Sequence, residues 1–235
     1  MNVVSIMAHQ DDEMWCLGTM IKCKARGDRL HFITLTDGSK GMVQSPELSR
    51  EEAARIRDAE MTALADDLGA TYRSLGEEDE FLYDTPDVRK ALVEAIRDTG
   101  AELIFTHDEE DYNQDHVTTA KLVKHCAMLS GIATIRTDAP VLAEHPAVFN
   151  VEPLGPFDFV PTHYVDISAQ YTEKCRLLGN HASQDEAIQR VLGRSLGELT
   201  SDASRFRGSQ VCCGHAEAFV PMHARGAIKA FNVLP

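Results

Sequence analysis

Two stretches of this 235-residue chain gather side chains that can hold a cation and move protons: 9-HQDDE-13 and 107-HDEEDYNQDH-116. In the first, His9 and Asp12 stand three residues apart, a spacing at which a tight turn aims both at one ion. His116 closes the second stretch and offers a third ligand. Two imidazoles and one carboxylate suit a divalent metal and leave a coordination position open for chemistry. Asp11 is then free to act as a base on water that the metal acidifies. Glu13 begins the next helix, where an acid favours the positive end of the dipole. Three acids directly after a His-Gln pair are more carboxylate than capping requires.

For these residues to form one site, the fold must bring the two stretches together. "NVVSIMAH" is a continuous β-branched and apolar run, the pattern of a strand buried on both faces. Residues 13–26 predict a helix stopped by Gly27. "RLHFITLTD" predicts a second strand, closed by Gly38. "PELSREEAARIRDAEMTALADDLG" predicts a long helix ending at Gly69, with Ala53, Ile56, Met61, Leu64 and Leu68 near helical spacing. "ATYRSLG" suits a third strand, "TPDVRKALVEAIRDTG" a third helix, "AELIFTHDEE" a fourth strand and residues 115–129 a fourth helix.

Strands alternating with helices of this length give βαβ units, an α/β fold with a mainly parallel sheet covered on both faces. Ligands bind such sheets beyond the carboxyl ends of the strands, where strand order reverses, commonly between the first and fourth strands. Those are the two strands that run into the acidic stretches. Residues 138–161 carry Pro140, Pro146, Pro153, Pro156 and Pro161 and predict an irregular connection. "THYVDIS" predicts one more strand and "AQYTEKCRLLGNHA" one more helix, while the tail beyond Gly208 is weakly patterned. No change of composition marks a second domain, so 1–235 is expected to be a single domain.

Composition narrows the partners. A net charge of −14, from 37 acids and 23 bases, opposes a nucleic-acid backbone or an anionic membrane as the main partner. No window approaches a membrane span, and the N-terminus has no basic region followed by a long apolar one. Cys16, Cys23, Cys126, Cys175, Cys212 and Cys213 form no C-x-x-C pair, which points to buried free thiols and a reducing, cytoplasmic compartment. A Gly-x-Gly-x-x-Gly fingerprint and a Walker loop are both absent, and carboxylates repel phosphates, so the crevice is a poor phosphate cradle.

"MAHQDDEMWCLGTM" followed by "ITLTDGSKG" resembles the opening of the PIG-L/LmbE-like deacetylase family, whose usual motif is Ala-His-Pro-Asp-Asp-Glu. "YNQDHVTTAKLV" resembles its second motif, usually His-Pro-Asp-His followed by a helix. "IRDAEMTALADDLG", "SLGEEDEFLYD", "YVDISAQYTEKCRLLGNHASQ" and "RFRGSQVCCGHAEAF" resemble later blocks, so the similarity covers nearly the whole chain. The resemblance implies a Rossmann-like three-layer sandwich. It also implies a zinc-dependent hydrolase that removes acetyl from an N-acetylglucosamine-type or related amino-sugar molecule or glycoconjugate. His9, Asp12 and His116 would be the metal ligands, Asp11 the general base, and Arg57 and Asp79 sugar contacts. Read from the residues alone, Arg57 equally suits a surface helix position paired with an acid one turn away.

Two positions depart from the family pattern. Gln10 replaces the usual proline, which alters turn rigidity more than chemistry. Asn113 stands where the first histidine of His-Pro-Asp-His stabilises the oxyanion or protonates the leaving amine. Asparagine donates a hydrogen bond to an oxyanion but gives up no proton at neutral pH. Acid duty then passes to Asp11 or to another histidine, with His181 in "NHASQ" and His215 in "CGHAEAF" as donors by resemblance. Two rivals share the ligand types: a non-haem iron enzyme, usually built on a β-barrel, and a non-catalytic metal- or sugar-binding member with Asn113 as the lesion. Zinc is the implied ion, and Fe2+ or another divalent ion fits the same ligands. The expected partner is an acylated amino sugar bound by a rim in 38–50, 76–86 and 138–161; the sequence does not fix the oligomeric state, although the weakly patterned tail could pack against a second copy of the chain.

Overall fold

The computed structural model describes residues 1–155 and 158–223. Strand β1 (Asn2–Met7) is buried from Val3 onward and lies inside a seven-stranded sheet, flanked by β2 (Arg29–Thr36) and β4 (Leu103–Thr106), both parallel to it. Val3 sits opposite Leu30 on one side and Leu103 on the other, so the carboxyl ends of β1 and β4 emerge side by side. β3 (Thr71–Glu77) extends the parallel array beyond β2, and β5 (Ala147–Val151) extends it beyond β4. β7 (Ala216–Pro221) pairs antiparallel with β5, and β6 (His163–Asp166) antiparallel with β7 at the edge. The order is β3-β2-β1-β4-β5-β7-β6.

Alternation along β1 divides the core. Val3 and Met7 pack into one apolar layer with α1 (Leu17–Ala25), α2 (Arg50–Leu68), α5 (Tyr171–Leu178) and α7 (Leu196–Gln210). Val4 and Ile6 pack into the other with α3 (Pro86–Thr99) and α4 (Gln114–Leu129). α6 (Ala182–Leu192) rests its Ile188 against the first layer. The protein is thus a three-layer α/β sandwich on a mostly parallel sheet. Local chemistry sets the helix ends: a Ser49/Glu52 capping box opens α2, and Thr85 with Pro86 opens α3.

Several elements differ from the sequence expectation. The helix expected over 13–26 divides into a 3₁₀ turn, Asp12–Trp15, and α1. The segment expected to be irregular contains β5, whose five buried residues "AVFNV" lie between Pro146 and Pro153. α6 and α7 have no counterpart among the expected helices; α7 opens on a Ser195/Glu198 capping box rather than on a clear apolar period. Ile56 is 37% exposed, while its neighbour Arg57 is 1% exposed, so one position in the expected apolar stripe of α2 turns outward. The described part of the tail beyond Gly208 holds the end of α7 and β7; residues 224–235 and Pro156 lie outside the described residues. All six cysteines are unpaired; Cys16, Cys23 and Cys126 are buried as expected, whereas Cys175 and Cys213 are half-buried and Cys212 is exposed. Among the described residues no helix is long and apolar enough to cross a membrane.

Candidate metal and acid–base site

The chain leaves β1 in a tight turn closed by His9 N–H donating to Asp12 Oδ2 at 2.8 Å, which points both side chains the same way. Asp11 at its centre takes φ 118°, ψ −21°, a backbone state that costs a non-glycine residue free energy and recurs at functional sites. The next residue opens the 3₁₀ turn, with Met14 N–H on Asp11 O at 3.0 Å. Gln10 is fully buried, and its side chain reaches the Tyr72 hydroxyl at 3.1 Å. Gly38, at φ 63°, leaves room for it: a Cβ there would lie 2.1 Å from Gln10 Oε1. The second arm arrives on α4. Its cap is Asn113, whose Oδ1 accepts from Asp115 N–H at 2.7 Å and His116 N–H at 3.3 Å, fixing His116 in the first turn.

His9, Asp12 and His116 converge. His9 Nδ1 lies 3.2 Å from His116 Nε2 and 3.2 Å from Asp12 Oδ2, and His116 Nε2 lies 3.3 Å from Asp12 Oδ1. A tetrahedral ion with bonds of about 2.0–2.1 Å spaces its donors about 3.3 Å apart, so these separations fit such an ion. Behind each imidazole stands a carboxylate: Asp79 Oδ1 is 3.0 Å from His9 Nε2, and Asp111 Oδ2 is 3.0 Å from His116 Nδ1. Outer carboxylates of this kind orient histidine ligands and raise their basicity. Asp115 Oδ2 lies 3.6 Å from His9 Nε2, and the Asp115 carboxylate is held by Glu80 N–H and Leu82 N–H.

His107 completes the enclosure. It stacks on His116 at 3.9 Å, and its Nε2 accepts from Ala8 N–H at 3.0 Å. The same nitrogen lies 3.2 Å from Asp12 Oδ2. Burial and the neighbouring His116 push His107 down to about 4, which keeps it neutral. Burial alone would lower His116, but Asp12 and Asp111 outweigh it and carry it up to about 9. Burial would raise Asp12, yet His116 and His107 hold it well below the usual carboxylate range. The pocket demands positive charge, which either protons on histidine or a metal ion can supply.

Asp11 sits beside the three donors. Arg57 Nη2 donates to Asp11 Oδ1 at 2.9 Å and also to the Gln10 carbonyl. Burial lifts the Asp11 carboxyl above its ordinary range against the pull of Arg57, with Asp12 adding to the rise. Arg57 and Asp79, implied as sugar contacts, lie beneath the site, 1% and 3% exposed, and Asp79 also accepts Lys40 N–H at 2.7 Å. Asn113 Nδ2 donates to Glu80 Oε1 at 3.3 Å. His181 is fully buried with its Nε2 2.8 Å from Glu13 Oε1. His215 stacks on Tyr171 and bonds Ser204, neither of them in this cluster. At the mouth, Tyr112 is 70% exposed with its ring edge-on to His116 at 5.7 Å, and Phe81 and Tyr83 are exposed on the loop tied to Asp115.

The supporting residues His107, Asp111 and Asp115 all stand in the second acidic stretch, but no sequence spacing singled them out. Fold and site together define an α/β protein with a histidine–carboxylate cradle at its topological switch point. The chain belongs to the PIG-L family, whose model, described as GlcNAc-PI de-N-acetylase, matches residues 4–127. No curated protein matches the sequence. Among solved structures it is similar to N,N'-diacetylchitobiose deacetylase from Pyrococcus horikoshii, at TM-score 0.80 and 23% identity over 94% of this chain and 83% of that one. It is similar to 4-carboxy-2-hydroxymuconate hydratase from Pseudomonas putida, at TM-score 0.80 and 20% identity over 98% and 100%. It is also similar to the conserved protein TT1542 from Thermus thermophilus, at TM-score 0.78 and 24% identity over 97% and 99%. At these identities the likeness speaks for the fold.

Proposed function

We propose that this protein is a metal-dependent N-deacetylase of an N-acetylglucosamine-type amino sugar or glycoconjugate. The observation that carries the reading is the set of 3.2–3.3 Å separations among His9, Asp12 and His116, with the strained Asp11 beside them. The family description supports an amide of an amino sugar as substrate. The fold does not choose the reaction, because a deacetylase and a hydratase both share it. Exposed Tyr112, Phe81 and Tyr83 at the mouth suit the apolar faces of a sugar ring. The acidic surroundings favour a neutral or cationic substrate over an anionic one.

His9, Asp12 and His116 would hold the ion, and zinc suits that donor set while Fe2+ shares it. When bound, the ion supplies Lewis-acid polarisation of the amide carbonyl and acidifies water. Asp11 does the proton work. Arg57 occupies its Oδ1, leaving Oδ2 to take the proton of the attacking water and return it to the departing amine. Asn113 uses its oxygen to cap α4 and one N–H to reach Glu80, and its other N–H serves the oxyanion. We reassign Arg57 and Asp79 from sugar contacts to positioning groups for Asp11 and His9. The six unpaired cysteines support a reducing, cytoplasmic setting.

The test is acetate release from N-acetylglucosamine and N,N'-diacetylchitobiose by protein loaded with zinc. Acetate from the loaded protein, absent after chelation, is the expected result. A loaded protein that releases none from these or other N-acetyl sugars, yet binds them, would be the non-catalytic reading. Water addition to an unsaturated acid instead would place it with the hydratase.

A further inference from the structure

We infer that Glu13 and His181 form a buried pair that holds Asp11 in the backbone geometry its role as base requires, neither of them touching substrate. The inference rests on the reading of Asp11 as the base. Glu13 is the second residue of the 3₁₀ turn, but its side chain is not the solvated dipole partner that its position suggests: it is 2% exposed. One oxygen, Oε2, accepts the Asp11 N–H at 3.1 Å. The other, Oε1, lies 2.8 Å from Nε2 of His181, which comes 168 residues later at the cap of α6 and is fully buried.

The two peptide groups flanking the Asp11 Cα are therefore both gripped. Its own N–H lies on Glu13, the Gln10 carbonyl before it lies on Arg57, and its carbonyl accepts Met14 N–H at 3.0 Å. A backbone at φ 118° persists only where surrounding structure over-determines it. Burying a carboxylate and an imidazole is costly, and a helix start needs only a surface acid, so capping does not account for the pair. His181 has no route to a leaving group: its Nδ1 is enclosed without a hydrogen-bond partner, and its Nε2 is committed to Glu13. It acts through Glu13, as a positioning residue.

The experiment compares zinc-loaded full-length protein with Glu13→Gln, His181→Gln and His181→Ala variants. It reads metal content, kcat and KM, and hydrogen exchange of the Asp11 amide against that of Ile6 in β1. Gln at 181 keeps a side-chain N–H donor near the position of Nε2, whereas Ala removes it. We expect metal content unchanged throughout. In Glu13→Gln and His181→Ala, kcat should fall about ten- to a hundredfold with KM nearly unchanged, as a slightly misplaced base requires. Asp11 exchange should rise roughly tenfold or more in those two while Ile6 stays fixed, and His181→Gln should recover most of both effects. Asp11 exchange unchanged in both Glu13→Gln and His181→Ala overturns the inference, as does loss of metal, which would make the pair a support for Asp12. Should the wild type release no acetate, the deacetylase reading fails, and the exchange comparison still decides whether the pair holds Asp11. Should His181→Ala fail to fold, the isosteric Glu13→Gln carries the test.

Discussion

Two buried ionic regions of this molecule balance charge in opposite ways. Beneath α7, Lys174 Nζ meets Glu217 Oε1 at 2.8 Å and Arg207 Nη2 meets Glu152 Oε1 at 2.6 Å, two cations for two anions. Glu217 also accepts Gly18 N–H at 2.9 Å and Thr19 N–H at 2.7 Å, at the start of α1. Each of these four charges has an opposite within the chain, and the group ties β7, α5 and α1 together. At the carboxyl ends of β1 and β4, by contrast, Asp12, Asp79, Asp111 and Asp115 surround His9, His107 and His116, and among the described residues no lysine or arginine side chain pairs with those four acids. A closed pairing serves the fold, whereas a surplus of one sign, with lone pairs converging, serves a ligand of the other sign.

The most severe way to break that contrast is to remove the converging donors. A His9→Ala/His116→Ala double variant should lose the bound ion, about one per chain in the wild type by elemental analysis, and all amidase activity with it. Retention of the ion would dissolve the contrast, because the surplus charge would then have another purpose. Asp11→Asn should keep the ion while kcat falls by about 10²–10⁴. Loss of the ion in that variant would exchange the roles of Asp11 and Asp12.

The paired region should answer in stability alone. Lys174→Met strands a buried Glu217 carboxylate and should cost on the order of 3–5 kcal/mol, read by denaturant or thermal unfolding. Metal content should not change. A Lys174→Met protein that unfolds normally but binds no metal would mean that the two regions are coupled through α1 and the turn before it.

A third comparison uses pH. In the metal-free protein, Asp12 and Asp111 raise His116 to about 9 against the opposing effect of burial, above its ordinary value of 6.5. A group raised on folding stabilises the folded state fully below its unfolded value and loses that contribution as pH climbs through the folded one. Chelated protein should therefore lose stability between about pH 6.5 and 9. Loaded protein should not, since a ligating imidazole carries no extra proton at either end of that window. Melting temperature against pH, with and without chelator, reads the difference.

The convergence of the two acidic stretches was legible because it depends on strand order alone: parallel β1 and β4 end at the same edge, and His9, Asp12 and His116 stand in the stretches that leave them. The outer layer was not. His107, Asp111 and Asp115 acquire their partners through contacts across strands and loops, with no periodicity to announce them, and Asp79 was legible only through the family resemblance, as a sugar contact. α2 shows the same limit. Its spacing nominates Ile56 for the core, but the turn that presents Asp11 needs a guanidinium, and Arg57 takes the buried place. β5 is masked by flanking prolines that fall just outside its five residues. Local composition reports the connector, while pairing with β4 decides the strand.

Asn113 yields the smallest of these effects and separates two duties within one side chain. Its oxygen caps α4 through Asp115 N–H and His116 N–H, and its nitrogen faces Glu80 with one N–H to spare. An aspartate at this position keeps the cap but turns a carboxylate oxygen toward Glu80 in place of the N–H, so Asn113→Asp should cost roughly 0.5 kcal/mol through an exposed like-charge contact, whereas Asn113→Ala should cost about 1 kcal/mol. The aspartate has no N–H for an oxyanion, so its kcat should still drop, by roughly tenfold at constant metal content, a smaller loss than for a fully preorganised donor. If Asn113→Asp keeps full turnover, the residue is a cap and nothing more. Asn113→His tests the same division from the other side: it restores the donor usual in the family but replaces a strong cap with a poor one. A gain in turnover alongside a lower melting temperature would show that α4 is held more firmly here than catalysis demands.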